Sequence, residues 1–274
     1  MLLGIDVSHY DDKVDWPLLA GSGVAFAIAK VSQGDYYRDD KCKLHLAGAG
    51  AAGMHAGIYH WVDPQCSAQR QVNFLLESAQ GLNYQFICLD VEQHAPWLVA
   101  YPAKPLPKKA RGKPGQKNKW IRKQAAVSVN FSPRQISDCA EKMAQLLQAR
   151  AELPLVIYTR VSFIVEYARP MLAWLKDYPL WLAQYPLLPM PAARLTWETL
   201  DQVYPRQSAP LLPASCPQWT FWQWSGDRLR LPGVSSCVDL NFFNGSAAEL
   251  GAFLGKRQAA FAYGAASEPL QRMA

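Results

Sequence analysis

Asp90 and Glu92 stand two residues apart at the end of the apolar run Phe86-Ile-Cys-Leu-Asp-Val-Glu92, and Gln93-His94-Ala95-Pro96 stops that run. A short apolar stretch closed by polar and Pro signals predicts a buried strand of a parallel sheet. Side chains alternate across a strand. Both carboxylates therefore leave from one face, with Cα atoms roughly 6.6 Å apart, and Val91 leaves from the other. Two carboxylates at the mouth of a buried strand are costly unless they are paired or used. Close like charges push one pKa up, so one group can keep a proton near neutral pH beside an anionic neighbour. Acid-assisted cleavage of a glycosidic bond requires that arrangement. The plainer alternative is a solvated strand end, since Asp-x-Glu is a common triplet.

The elements that must hold this pair alternate along the chain. Strands are predicted at Leu2 to Ser8, Val24 to Val31, Ala56 to Trp61, Phe86 to Glu92, Leu155 to Thr159, Leu180 to Tyr185, Thr220 to Ser225 and Val238 to Phe243. Helices are predicted at Trp16 to Ala20, Asp39 to Ala52, Ser67 to Ser78, from Ser132-Pro133 through Leu147, at Phe163 to Leu175 with a break at Pro170, and at Ala247 to Leu254. Ser132 is a cap, Pro133 suits the first turn, and Ile136, Ala140, Met143 and Leu147 form one stripe. Strand–helix alternation with about eight strands predicts an α/β fold, an irregular (β/α) TIM-like barrel in a single domain. Function in such barrels gathers at the C-terminal strand ends. Asp6, Tyr59, His60, Asp90, Glu92, Tyr158 and Tyr185 all fall at or near such ends. His60 is expected to be a satisfied interior histidine rather than a base.

The barrel is expected to fill residues 1–254, with a tail at 255–274. No stretch has about 18 consecutive apolar residues, so no spanning helix is expected. The start, Met-Leu-Leu-Gly-Ile-Asp-Val, lacks a basic leader pattern, so synthesis in the cytoplasm without an export signal is expected. Six Cys with no CxxC pair and no His cluster give metal binding little support, and no cofactor is expected. Net charge is +6. Residues 102 to 123 hold seven Lys, two Arg and no acid; without them 19 basic residues face 22 acidic ones. The basicity therefore belongs to one segment, the insertion 101–123, whose four Pro and two Gly predict a loop. It is either simply solvated or an attachment to an anionic envelope through Lys104 to Lys123. Nucleic acid is not expected, because Trp120 alone could stack on bases there.

Seven motifs occur in a telling order: Gly4-Ile-Asp-Val-Ser-His-Tyr10, Asp15-Trp16, Gly57-Ile-Tyr-His60, Leu89-Asp-Val-Glu92, Leu180-Trp-Leu-Ala-Gln-Tyr185, Trp222-Gln-Trp224 and Val238-Asp-Leu-Asn241. Together they resemble the glycoside hydrolase family 25 muramidases, lysozymes of bacteria and phages, over roughly residues 2 to 254. The resemblance implies an irregular barrel that cleaves the β-1,4 bond from N-acetylmuramic acid to N-acetylglucosamine in peptidoglycan, as phage endolysins do. It implies Glu92 as general acid/base, Asp90 as its partner, and Asp6 and Asp239 as further site carboxylates. The Asp-x-Glu pair is also similar to that of chitinase-type enzymes, in which the substrate acetamido group is the nucleophile. That route is favoured here; inverting or direct displacement stays open. Tyr59, Trp61, Tyr158, Trp181, Gln223 and His9 are candidate groove residues.

The chain departs from the family at Gln33, where an acid is usual, and in the basic insertion and the Pro-rich stretch before Trp219. The expected protein is a monomer that acts on the cell wall once released to it. The alternatives are a catalytically weak glycan-binding module of a virion or secretion apparatus, and a chitinase-like N-acetylglucosaminidase.

Overall fold

The computed structural model describes residues 1–11, 13–96, 130–185 and 209–255. The basic insertion, most of the Pro-rich stretch and the tail beyond Gly255 lie outside the described residues. Nine strands form one sheet: β1 (Leu2–Val7), β2 (Val24–Gln33), β3 (Tyr37–Arg38), β4 (His55–Trp61), β5 (Phe86–Asp90), β6 (Leu155–Thr159), β7 (Leu180–Ala183), β8 (Phe221–Leu229) and β9 (Val238–Phe243). The order runs β1-β9-β8-β7-β6-β5-β4-β2-β3, and β1 also pairs with β2. That extra pairing closes eight strands into a barrel and leaves β3 on its rim. Seven barrel strands are parallel; β9 runs antiparallel to both β8 and β1. The irregularity expected of the barrel therefore has a specific form. One reversed strand closes the barrel and brings its first residues to the face where the other strands end.

Period-two alternation sorts every barrel strand into an inside and an outside. Phe26, Phe86, Phe221 and Phe243 fill the interior, with Ile28, Cys88, Val156 and Trp181 above them. The rings of Phe86 and Phe221 stack with centroids 5.3 Å apart. Gly4 and Gly57 make room for this layer, since a Cβ at either would lie 2.3 Å from the rings of Phe26 and Phe86. Such overlap could be relieved only by moving a packed aromatic ring.

The outward residues Ile5, Ala29, Ile58, Leu89, Ile157 and Leu182 pack under the helices α1 (Trp16–Gly21), α2 (Cys42–Ala51), α3 (Ala68–Ser78), α4 (Pro133–Gln148) and α5 (Val161–Tyr167). The cap of α4 forms as the sequence requires: Ser132 Oγ accepts from the Gln135 N–H, and Ile136, Ala140, Met143 and Leu147 are buried. Below the barrel, α6 (Ala247–Leu254) starts with a Ser246–Glu249 capping box. Its Leu250 and Phe253 plug the aromatic floor. The stretch predicted as one interrupted helix at 163–175 is α5 followed by two short 3-10 turns, because Pro170 cannot continue an α-helix. No helix among the described residues is long and apolar enough to cross a membrane.

Candidate active site

The top of the barrel is polar because the inward positions turn polar at the C-terminal strand ends. On β5 the inward series is Phe86, Cys88, Asp90, all buried. On β1 it ends at Asp6, which sits opposite Asp239 of the reversed strand β9. Asp6, Asp90 and Asp239 thus meet at one mouth, and Glu92 follows β5 at that rim. Val91 is 1% exposed and points into the outer layer, as alternation requires. Its carbonyl accepts from Thr159 Oγ1 and its N–H donates to the Tyr158 carbonyl, which fixes the backbone between the two carboxylates.

Asp6 and Asp239 share a donor. Gln223 Nε2 donates to Asp6 Oδ2 at 2.9 Å and to Asp239 Oδ2 at 3.0 Å. Its Oε1 accepts from Tyr158 at 2.8 Å and from Tyr185 at 2.7 Å. Four partners settle which end of the amide faces the acids. Asn241 Nδ2 also donates to Asp6 Oδ2 at 2.8 Å, while Asn241 Oδ1 accepts from Trp181 Nε1 at 2.7 Å. Trp181 is therefore a buried strut under the carboxylates; it reaches them through Asn241.

Replacing Gln223 with Leu, similar in size, removes all four bonds and strands buried polar groups at roughly 1–3 kcal/mol each. A clear fall in the urea midpoint is expected, and an unchanged midpoint would show that the network bears no weight.

The Asp90–Glu92 pair is different in kind. Asp90 is 4% exposed, and its Oδ1 has no hydrogen-bond partner among the described residues. Burial pushes its pKa well above the usual carboxylate range, with the charges of Glu92 and Asp6 adding to the rise and Lys30 opposing it. Glu92 is also raised by burial, and Arg160 and Lys30 pull it back. Like charges this close titrate as a pair, so the pair holds a proton to higher pH than an isolated carboxyl would.

Aromatic groups ring the mouth. Tyr59 and Trp61 leave β4 on the inward side, half-buried, and Trp61 Nε1 donates to Gln93 Oε1 at 2.9 Å. His9 stands on the rim, with Nδ1 3.0 Å from Asp39 Oδ2. His60 is an interior group: Nδ1 lies 2.8 Å from Ser32 Oγ and Nε2 3.3 Å from Gln71 Oε1, and burial pushes its pKa down to about 4. Trp222 and Trp224 are buried in the outer layer. Sequence reasoning missed Lys30, Asn241 and Arg160 as site residues. Lys30 and Asn241 could have been found by strand parity: Lys30 shares a face with Phe26 and Ile28, and Asn241 with Asp239. Among the described residues, no group of three or more His, Cys, Asp or Glu is placed to hold a metal.

Comparison with known proteins agrees with this geometry. Residues 5–234 match the sequence model of glycosyl hydrolases family 25. Lysozyme M1 of Streptomyces globisporus is 27% identical over 90% of this chain and 69% of its own length. The bacterial lysozyme of Streptomyces coelicolor superposes with a TM-score of 0.66 at 25% identity, covering 92% of this chain and 96% of that one. The catalytic domain of endolysin ply40, from bacteriophage P40 of Listeria monocytogenes, shares the fold, with a TM-score of 0.61 at 19% identity over 93% of this chain and 98% of that domain. With the family match spanning most of its length and the motif carboxylates gathered at one barrel mouth, this chain belongs to glycosyl hydrolases family 25.

Proposed function

We propose that this glycoside hydrolase cleaves the β-1,4 bond from N-acetylmuramic acid to N-acetylglucosamine in peptidoglycan, with Glu92 as general acid and then base and Asp90 assisting through the substrate acetamido group. The observation that carries the reading is Asp90 Oδ1, a buried acceptor without a partner among the described residues, beside a second carboxyl. An unpaired buried oxygen is expensive, and its natural complement is a ligand donor. The N–H of a sugar 2-acetamido group is such a donor.

The deeper burial of Asp90 favours leaving the shared proton there in the free protein. Donation from the acetamido N–H stabilises the Asp90 anion and leaves Glu92 as the proton carrier. Glu92 then protonates the leaving oxygen as the C1–O bond breaks. The acetamido oxygen bonds to C1 in its place, giving an oxazolinium ion whose N–H faces the Asp90 carboxylate. In the second half, water attacks C1, the Glu92 carboxylate takes the water proton, and the acetamido group is released. Asp6 and Asp239, held by Gln223 across the mouth, offer negative charge to the cationic transition state. Tyr59, Trp61 and His9 line the approach.

The two Streptomyces lysozymes support the bacterial wall as the site of action. Digestion of purified sacculi, followed by borohydride labelling of the new reducing ends, tests the bond assignment. Labelled muramic acid is expected. Labelled glucosamine would replace the proposal with an N-acetylglucosaminidase.

A further inference from the structure

We propose that Lys30, held by Gln33 and an aromatic cage, is the positioning residue that lets Asp90 ionise beside Glu92 in this barrel mouth. The inference rests on the catalytic roles proposed above and adds a group to them.

Lys30 is an inward residue of β2, one layer above Ile28, and is 8% exposed. Its Cα partner across the sheet is Tyr59, and Trp61, two residues on, is the partner of Asp90. The ammonium lies 5.1 Å from the Trp61 ring centroid, 5.9 Å from Tyr59 and 5.7 Å from Tyr37. Burial pulls the Lys30 pKa below its usual value, and the three ring faces together with the carboxyls of Asp90, Asp39 and Glu92 support the charge against that loss. The ammonium donates to Gln33 Oε1 at 3.2 Å; Gln33 Nε2 donates to the Tyr36 hydroxyl at 3.2 Å, and that hydroxyl donates to Asp63 Oδ2 at 2.9 Å. This chain fixes the Gln33 amide with its oxygen toward the lysine.

Every contact in that cage is neutral. No carboxylate lies within salt-bridge distance of Lys30 among the described residues, so its charge is not spent on a direct partner. The acids that feel it are Asp90 at the end of β5, Asp39 beyond β3 and Glu92 just after β5. Asp39 is already bonded to the His9 ring and to the His9 and Lys41 backbone N–H groups. Lys30 therefore acts most strongly on Asp90, with Asp39 and then Glu92 feeling it less. A glutamate at 33 would accept from the same ammonium and cancel much of that field.

The effect differs from that of Arg160. Arg160 opposes the rise of Glu92, whereas Lys30 opposes the rise of both carboxyls. Asp90 also faces Asp6, and Glu92 also faces the hydroxyls of Tyr158 and Tyr185. Digestion needs one carboxyl ionised and one protonated, so its pH profile has an acidic and an alkaline limb that belong to the pair. Loss of Lys30 raises both pKa values and moves both limbs to higher pH. Loss of Arg160 removes a charge that acts on Glu92 and leaves the Lys30 effect on Asp90 in place.

The experiment is the pH profile of kcat/KM on solubilised glycan for wild type, Lys30→Met, Lys30→Arg, Gln33→Glu and Arg160→Gln, with urea midpoints for each. Lys30→Met is expected to move both limbs up by about one pH unit or more and to lower the rate near neutrality at least tenfold, with Lys30→Arg keeping both limbs near wild type. Gln33→Glu is expected to move both limbs the same way while retaining the wild-type fold. Wild-type limbs in folded Lys30→Met, or in Gln33→Glu should the methionine variant fail to fold, overturn the inference. The catalytic assignment fails separately, if Glu92→Gln retains full digestion.

Discussion

Glu92→Gln is expected to lower sacculus digestion by about 10²–10⁴-fold, the range over which a positioned general acid contributes. The amide keeps the shape and the site keeps its groove, so binding to sacculi should survive. Asp90→Asn is expected to fall by on the order of 10²-fold, as for loss of one preorganised electrostatic contact. The two variants should also share a less obvious property. Asp90 and Glu92 have folded-state pKa values raised above their unfolded ones, chiefly by burial. Between the ordinary carboxylate range and those raised values the native state binds more protons than the unfolded chain, so stability falls as pH rises. A neutral amide removes that loss. Both variants are therefore expected to have higher urea midpoints than wild type at neutral pH, with the gain shrinking as the pH drops toward the ordinary carboxylate range. Lower midpoints at neutral pH would mean that the pair is a structural element and not strain held for chemistry.

Phe221→Ala is expected to be the most damaging change to the fold. Phe221 is fully buried, stacks on Phe86, and meets Phe26 and Phe243 at 5.3 Å and Phe253 at 5.8 Å. It joins β8 to β2, β5, β9 and the plug helix α6. Truncating a buried Phe costs about 3–5 kcal/mol. Thermal melting should drop by roughly 10 °C at the usual 2–4 °C per kcal/mol for a domain of this size. A loss of under about 1 kcal/mol would show that the aromatic floor collapses around the gap and that the plug is not needed for closure.

Much of the candidate site could be read from strand parity alone. Alternation put Asp90 and Glu92 on one side of β5 and Val91 on the other, and the same rule placed Asp6, Tyr59 and Trp61 at strand ends. The reversed direction of β9 was not readable, since the connection 230–237 between β8 and β9 is longer than the two-residue turn that signals a tight hairpin. Yet that reversal is what puts Asp239, at the start of its strand, opposite Asp6 at the end of another. β3 has only two residues, too few for any periodic signal. Lys30 was hidden because Val24 to Val31 reads as a uniformly apolar strand, and one lysine in it looks incidental until the strand is sorted by face. The basic insertion, whose composition stands out most, falls outside the described residues.

The central claim is that Glu92 supplies the proton to the departing oxygen, and leaving-group dependence tests it most directly. A dinitrophenyl glycoside of the peptidoglycan disaccharide departs without protonation, whereas the bond in sacculi cannot. Glu92→Gln should lose about 10²-fold or more on sacculi while releasing dinitrophenolate in the first turnover within about tenfold of wild type. Equal losses on both substrates, or full-speed digestion of sacculi, would contradict the assignment of Glu92 as the acid.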